Sequence, residues 1–223
     1  MPIATRLRTL FCLFSAVLAL SSAPARAAEM PVRYDGPAGQ VLTVHTFGAS
    51  ATIASISAWD RVGNRWIRAL GPYSGFVGAD GVGAAGEGIA RTPAGVWGLS
   101  QAFGNLPGYG TRLPYRQVTQ WDWWVGDSRS LLYNLPFLCP PGLCPFDERA
   151  SERLGAVGRA YDRAVVIDYN RWPAQPGRGS AFFLHVATGE PTAGCVALPA
   201  ADLDAVMRWL DPARQPVIAI AAA

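Results

Sequence analysis

Ser180-Ala181-Phe182-Phe183-Leu184-His185-Val186-Ala187-Thr188-Gly189-Glu190-Pro191-Thr192-Ala193-Gly194-Cys195-Val196 is the stretch from which the rest of the chain can be read. It opens as a run of strand propensity around Phe182 and Phe183 and carries His185 near the end of that run. It turns at Gly189 and Pro191 and delivers Cys195 directly after a glycine. One turn thus joins an imidazole to a thiol. A thiol is a nucleophile only as thiolate, and an ordinary cysteine, with a pKa of about 8.5, is a few per cent ionised at neutral pH. A neighbouring imidazole removes the proton or holds the thiolate as an ion pair. Gly194 lets a substrate backbone approach, and backbone N–H groups around Gly194 and Cys195 suit a developing oxyanion. Thr192 is expected to orient His185 or to shape the turn, a task a backbone carbonyl performs equally well. These parts suit acyl transfer through a thioester.

The other cysteines sharpen this reading. Cys139 and Cys144 bracket Pro140-Pro141-Gly142-Leu143, a turn that brings them together. In an oxidising compartment the expectation is a disulfide, with a metal site as the weaker alternative because no histidine lies nearby. That leaves Cys195 unpaired, either as a chemical group or as an inert buried thiol.

The first residues point to export. Arg6 and Arg8 precede an uncharged apolar run from Leu10 to Leu20, and Ala23-Pro24-Ala25-Arg26-Ala27 supplies small residues for cleavage. This is the pattern of a signal peptide over residues 1–27, with an uncleaved anchor as the alternative. Cys12 leaves with it. A segment at 28–40 then leads into a single domain over 41–223, and no later run is long enough for a membrane span. Of the 223 residues, 16% are charged and the formal net charge is +3, without a Lys/Arg block, so neither charge nor pattern calls for nucleic acid. The 24 glycines, 18 prolines and 8 tryptophans favour many short strands joined by turns.

Val41 to Phe47, Thr52 to Trp59 and Arg65 to Leu70 read as strands, the last two forming a hairpin at Val62-Gly63-Asn64. His45 reads as a strand-face residue. Gly71 to Gly88 reads as a mobile glycine-rich loop. Its Gly81-Val82-Gly83-Ala84-Ala85-Gly86 has the spacing of a dinucleotide loop but no βαβ context, and is rejected as one. Arg91 to Leu99 turns into a strand. Trp121, Trp123 and Trp124 form a stacking surface or, by preference, strand aromatics filling the core. Phe146 to Arg159 contains a short helical segment, and Tyr161 to Tyr169 a strand. Ala200 to Leu210 is an amphipathic helix with Leu203, Val206, Met207 and Leu210 on one face, ended by Asp211-Pro212. Val217 to Ile220 is a last buried strand.

At His185 and Thr192-Ala193-Gly194-Cys195 the sequence resembles the L,D-transpeptidase (YkuD-type) catalytic domain, which places a histidine on a strand and a Ser/Thr-x-Gly-Cys turn after a loop. Arg91-Thr92-Pro93-Ala94-Gly95, Val165 to Asn170 and Gly179 to His185 resemble further segments of that family. The likeness runs from about Val41 to Ile220. The chain departs from the pattern at Ala193, where a histidine is usual, at Ala197, where a polar or basic residue is common, and in a shorter loop between His185 and Cys195.

The resemblance implies a mainly β, sandwich-type fold with short helices and one amphipathic helix after the cysteine. It implies Cys195 as nucleophile, His185 as general base and acid, and no metal or organic cofactor. The partners it implies are peptidoglycan stem peptides, with carbapenem-type β-lactams as inhibitors. Asn170, Tyr169 and Ala193 are the expected substrate-facing positions, Tyr133 and Asn134 have similar standing, and Arg178 reads as a solvated loop residue with a contact to a stem carboxylate as the alternative. A secreted Cys–His amidase or protease and a noncatalytic wall-binding module are the rival readings. The sequence leaves the acyl acceptor and the oligomeric state open.

Overall fold

The computed structural model describes residues 29–223, so the expected signal peptide and Cys12 lie outside the described residues. The chain enters regular structure at β1 (Gln40–Thr46) and continues through β2 (Ile53–Val62), β3 (Arg65–Phe76), β4 (Val82–Gly83) and β5 (Thr92–Pro93). There follow β6 (Gly95–Gly104), β7 (Tyr115–Gln117), β8 (Asp122–Trp124), β9 (Pro136–Leu138) and β10 (Glu152–Arg153). The last elements are β11 (Ala164–Ile167), β12 (Phe183–Val186), β13 (Val196–Leu198), α1 (Ala200–Trp209) and β14 (Val217–Ala222). The protein is thus mainly β, with one α-helix among the described residues.

Nine strands form one mixed sheet in the order β11-β12-β13-β3-β2-β1-β14-β6-β7, and β11 also pairs with β6. That extra pairing closes the sheet on itself, so most of its edges are covered by a neighbour. The expected sandwich is therefore a closed sheet with a smaller three-stranded sheet, β10-β8-β9, beside it. Inside the closed sheet lies the larger core, with Leu42, Ile56, Val165, Leu184, Val196 and Ile218 among its members. β14 runs parallel to β1 and antiparallel to β6, and its Ile218-Ala219-Ile220 centre is fully apolar, as a strand buried on both faces requires. The helix α1 adds Leu203, Val206 and Met207 to this core and ends at Leu210, before Asp211 caps the turn Pro212–Arg214.

The other face of β11 and β12 decides where chemistry can occur. Strand alternation turns Ala164, Val166 and Phe183 away from the larger core. They meet Phe103, Trp124, Leu154, Tyr161 and Cys195 in a second cluster. Aromatic edges lock it: Phe183 makes edge-to-face contacts with Phe103, Trp124 and Tyr161 at centroid distances of 5.0, 5.0 and 5.5 Å. The nucleophile candidate therefore sits between the closed sheet and the covering segment that carries β8, β10 and Tyr161.

Four expectations change in detail. Gly71 to Gly88 is not simply a loop: β3 runs on to Phe76, and β4 pairs in parallel with β5. The segment is tied to the cysteine turn by Thr192 N to Val77 O (2.9 Å) and Ala79 N to Thr192 O (2.8 Å). Phe146 to Arg159 holds two 3-10 turns, Glu148–Ala150 and Leu154–Ala156, flanking β10. Tyr161 lies on a further 3-10 turn before β11, so its strand is shorter than its sequence suggests. Trp123 and Trp124 are buried as core aromatics, whereas Trp121 is 54% exposed.

The disulfide Cys139–Cys144 is present. It fastens the loop after β9 beside Trp123, Val125 and Phe146. With so short a loop the chain-entropy account gives about 2 kcal/mol. Reduction is expected to lower the Tm by roughly 4–8 °C, read by calorimetry with and without reductant.

Candidate active site

Cys195 stands at the end of the turn that feeds β13. Thr192 builds this turn: its Oγ1 donates to the Cys195 carbonyl and accepts from the Gly194 N–H at 3.1 Å. Gly194 has φ +132°, and a Cβ there would lie 2.8 Å from the Phe182 ring, so no other residue fits without displacement. The Gly194 N–H is thus engaged, while the Cys195 N–H has no partner among the described residues. The Thr92 hydroxyl also donates to the Cys195 carbonyl, at 3.2 Å, linking β5 to the turn.

Cys195 as a residue is 9% exposed. Its sulfur accepts from the Phe183 N–H at 3.3 Å and donates to the Ala181 carbonyl at 3.4 Å. Burial pushes the thiol well above its ordinary range, the nearby Glu152 carboxylate adds to this, and the Phe183 N–H offsets only part.

His185 lies on β12 between Ala164 of β11 and Ala197 of β13, two small neighbours that leave room for a ring. Its Nδ1 is 2.9 Å from the Val186 carbonyl. A carbonyl only accepts, so Nδ1 carries the hydrogen and Nε2 is left as the basic nitrogen. The backbone, rather than Thr192, orients this imidazole. Burial lowers the His185 pKa below its usual value, against a smaller opposing effect of the Val186 carbonyl.

His185 and Cys195 share neighbours. Tyr161, a member of the cysteine's cluster, stacks edge-on against the imidazole at 5.7 Å. Among the described residues the hydrogen bonds of the sulfur go to Phe183 and Ala181, not to the imidazole. Both shifts favour neutral partners at rest, a thiol and an unprotonated imidazole, instead of a preformed ion pair.

A cavity of about 280 Å³ opens beside the cysteine turn, lined in part by Ala181, Ala193, Trp124, Glu87 and Glu152. Ala193 therefore faces it. Tyr169 does not: it is buried in the larger core, edge-on to Trp97 and Phe182. Asn170 commits its side chain to the following loop, bonding Gln175 and Gly179. Tyr133 donates to Glu87, and Arg178 stays in the loop before β12, its N–H bonded to the Gln175 carbonyl.

Asn134 does more than its sequence context suggested. It is 1% exposed, and its Oδ1 accepts from Trp124 Nε1 at 2.8 Å and from Ala181 N at 3.2 Å. Its Nδ2 donates to the carbonyls of Tyr169 and Asn170. Ala181 has φ +57°, a costly conformation for a residue with a Cβ, and it carries the carbonyl that receives the Cys195 thiol. Asn134→Ala leaves four groups without their partner, two of them in buried and two in part-buried bonds. An expected loss of about 2–4 kcal/mol, measured by urea unfolding, follows from that.

Glu87, Glu152 and Tyr161 were not singled out in the sequence. Glu87 lies on the loop between β4 and β5, Glu152 and Tyr161 on the segment between β8 and β11, and no spacing signal links them to Cys195. Among the described residues no group of three or more His, Cys, Asp or Glu is placed to hold a metal, and no helix is long and apolar enough to cross a membrane.

A buried thiol, an imidazole that shares its neighbour Tyr161, and a cavity against the cysteine turn thus lie in one region of the fold. The family model for the L,D-transpeptidase catalytic domain (YkuD) matches residues 66–218, well over half of the chain, and the protein belongs to this family. The family is one of L,D-transpeptidase-type enzymes that act on peptidoglycan. No curated protein matches the chain.

Proposed function

We propose that the protein is an exported cysteine acyltransferase that acts on peptidoglycan stem peptides. Cys195 attacks the carbonyl of the third stem residue, His185 Nε2 takes the thiol proton, and the C–N bond to the terminal D-Ala breaks. The departing nitrogen takes the proton back from His185. The thioester then passes to an amine of a second stem, giving a cross-link, or to water, giving an L,D-carboxypeptidase. The Cys195 N–H is the backbone donor left to meet the oxyanion, with Gly194 holding the turn open. Residues 1–27 act as the export signal, 28–40 as a lead-in and 41–223 as the catalytic domain, in a periplasm, at the cell envelope or outside the cell.

The observation that carries this reading is the shared environment of Cys195 and His185 beside a cavity, in a chain that belongs to this family. With both groups neutral at rest, proton transfer accompanies attack instead of preceding it. The buried, protonated thiol is also what a noncatalytic wall-binding module would have, and one experiment separates the two. Purified protein is incubated with a disaccharide tetrapeptide and the products are weighed by mass spectrometry. Loss of one D-Ala, with dimer or tripeptide formed, is the expected result. Unchanged tetrapeptide that nevertheless binds supports the wall-binding module, and cleavage inside the stem supports an amidase.

A further inference from the structure

Proton counting in the second half of this reaction leaves a task that Cys195 and His185 do not cover. A stem amine arrives at neutral pH as an ammonium ion, since ordinary alkylamines hold their proton to a pKa of about 10. To become an amide N–H it must lose two protons. One returns to the sulfur as the C–S bond breaks, by way of His185 Nε2. The other needs a second base, and it has to leave before the nitrogen can attack.

Glu152 is placed for that. It lines the same cavity as Ala181, whose carbonyl accepts from the sulfur, and Ala193 of the cysteine turn. Its Oε2 accepts from the Tyr161 hydroxyl, and the Tyr161 ring stacks on His185, so the carboxylate and the imidazole stand on either side of one buried phenol. Its other oxygen, Oε1, has no hydrogen-bond partner among the described residues. The remaining carboxylate of the cavity, Glu87, takes both Tyr133 and Ser180 on Oε1 and also keeps one oxygen without a partner among the described residues, but the phenol that packs on His185 is bonded to Glu152. No Lys or Arg lines this cavity among the described residues.

We propose that Glu152 is the base that receives the acceptor ammonium and takes its first proton, which makes a primary amine the chemical class of acceptor. This rests on the acyl-transfer reading above. The step balances: R–NH₃⁺ and the Glu152 carboxylate give R–NH₂ and the carboxylic acid. The amine nitrogen then bonds to the thioester carbon, the C–S bond breaks, and the second nitrogen proton reaches the sulfur through His185. Glu152 gives its proton to solvent before the next cycle. Burial and the neighbouring Glu87 raise the Glu152 pKa from the ordinary carboxylate range, which brings it closer to that of the amine it must deprotonate.

The test uses the full mature chain with Glu152→Gln. Acylation of Cys195 by a carbapenem, followed by intact mass, is expected to be no slower than in wild type, because the variant removes a negative charge that helps to keep the thiol protonated. With a tetrapeptide donor and a second stem as acceptor, the ratio of dimer to hydrolysed tripeptide is expected to fall roughly 10²-fold. Hydroxylamine is largely uncharged at neutral pH, and with it as acceptor the variant is expected to match wild type. Glu152→Asp is expected to restore part of the dimer. An unchanged dimer-to-tripeptide ratio in Glu152→Gln, or an equal loss with hydroxylamine, overturns the role of Glu152 alone. A wild-type protein that takes no acyl group at Cys195 overturns the reading beneath it.

Discussion

Replacing Cys195 with alanine is expected to abolish D-Ala release from a tetrapeptide stem, a loss on the order of 10⁴-fold or more, because no other group can carry the acyl intermediate. The fold should survive. The sulfur contributes one weak acceptor and one weak donor, to Phe183 and Ala181, and alanine leaves a void of about one atom in a cluster of aromatic and aliphatic side chains. A Tm within a few degrees of wild type, together with lost turnover, separates a missing nucleophile from a collapsed site. Cys195→Ser is expected to be nearly as inactive, since the site holds its group neutral and a hydroxyl is much harder to deprotonate than a thiol.

The second large effect belongs to His185. With a lowered pKa it is neutral across the physiological range, so Nε2 is available as base without first losing a proton. His185→Gln keeps a polar side chain between Ala164 and Ala197 and removes the base. An expected fall of ~10²–10⁴-fold in kcat follows, with KM little changed. In wild type, kcat/KM is expected to rise through a pKa below the usual histidine value, as the imidazolium is lost. That limb is expected to vanish in His185→Gln. Stability follows the same sign. A depressed histidine pKa stabilises the fold above the unfolded value of about 6.5 and loses that contribution as pH falls. The raised cysteine pKa acts oppositely, its contribution fully present below the unfolded thiol pKa and lost as pH rises beyond it.

The sequence carried local turns, strands and the helix further than the closure of the sheet. Cys195, Gly194 and His185 lie within one short stretch, so the turn and the strand that present them follow from local rules. The same holds for the β2–β3 hairpin at Gly63-Asn64 and for α1, whose buried face is the one its periodicity marks. Closure of the sheet was not legible. It depends on β11 pairing with both β12 and β6, and pairing between distant segments leaves no periodic trace in either. Glu152 and Tyr161 were hidden for the same reason, and Asn134 was legible only as a substrate-facing candidate. Asn134, Glu152 and Tyr161 reach the cysteine from the segment between β8 and β11, and their roles come from where that segment lands. Tyr169 and Asn170 failed in the opposite way: proximity in sequence to the histidine strand suggested the cleft, but the alternation of β11 and the following tight turn send one into the core and the other into the loop.

The most direct measurement is the site of covalent capture. Wild-type protein, treated with a carbapenem and digested, is expected to carry one adduct on the peptide that contains Cys195. His185→Gln should form it far more slowly and Cys195→Ala not at all. An adduct elsewhere, one that persists on Cys195→Ala, or no adduct on wild-type protein at any time would contradict the assignment of this thiol as the nucleophile.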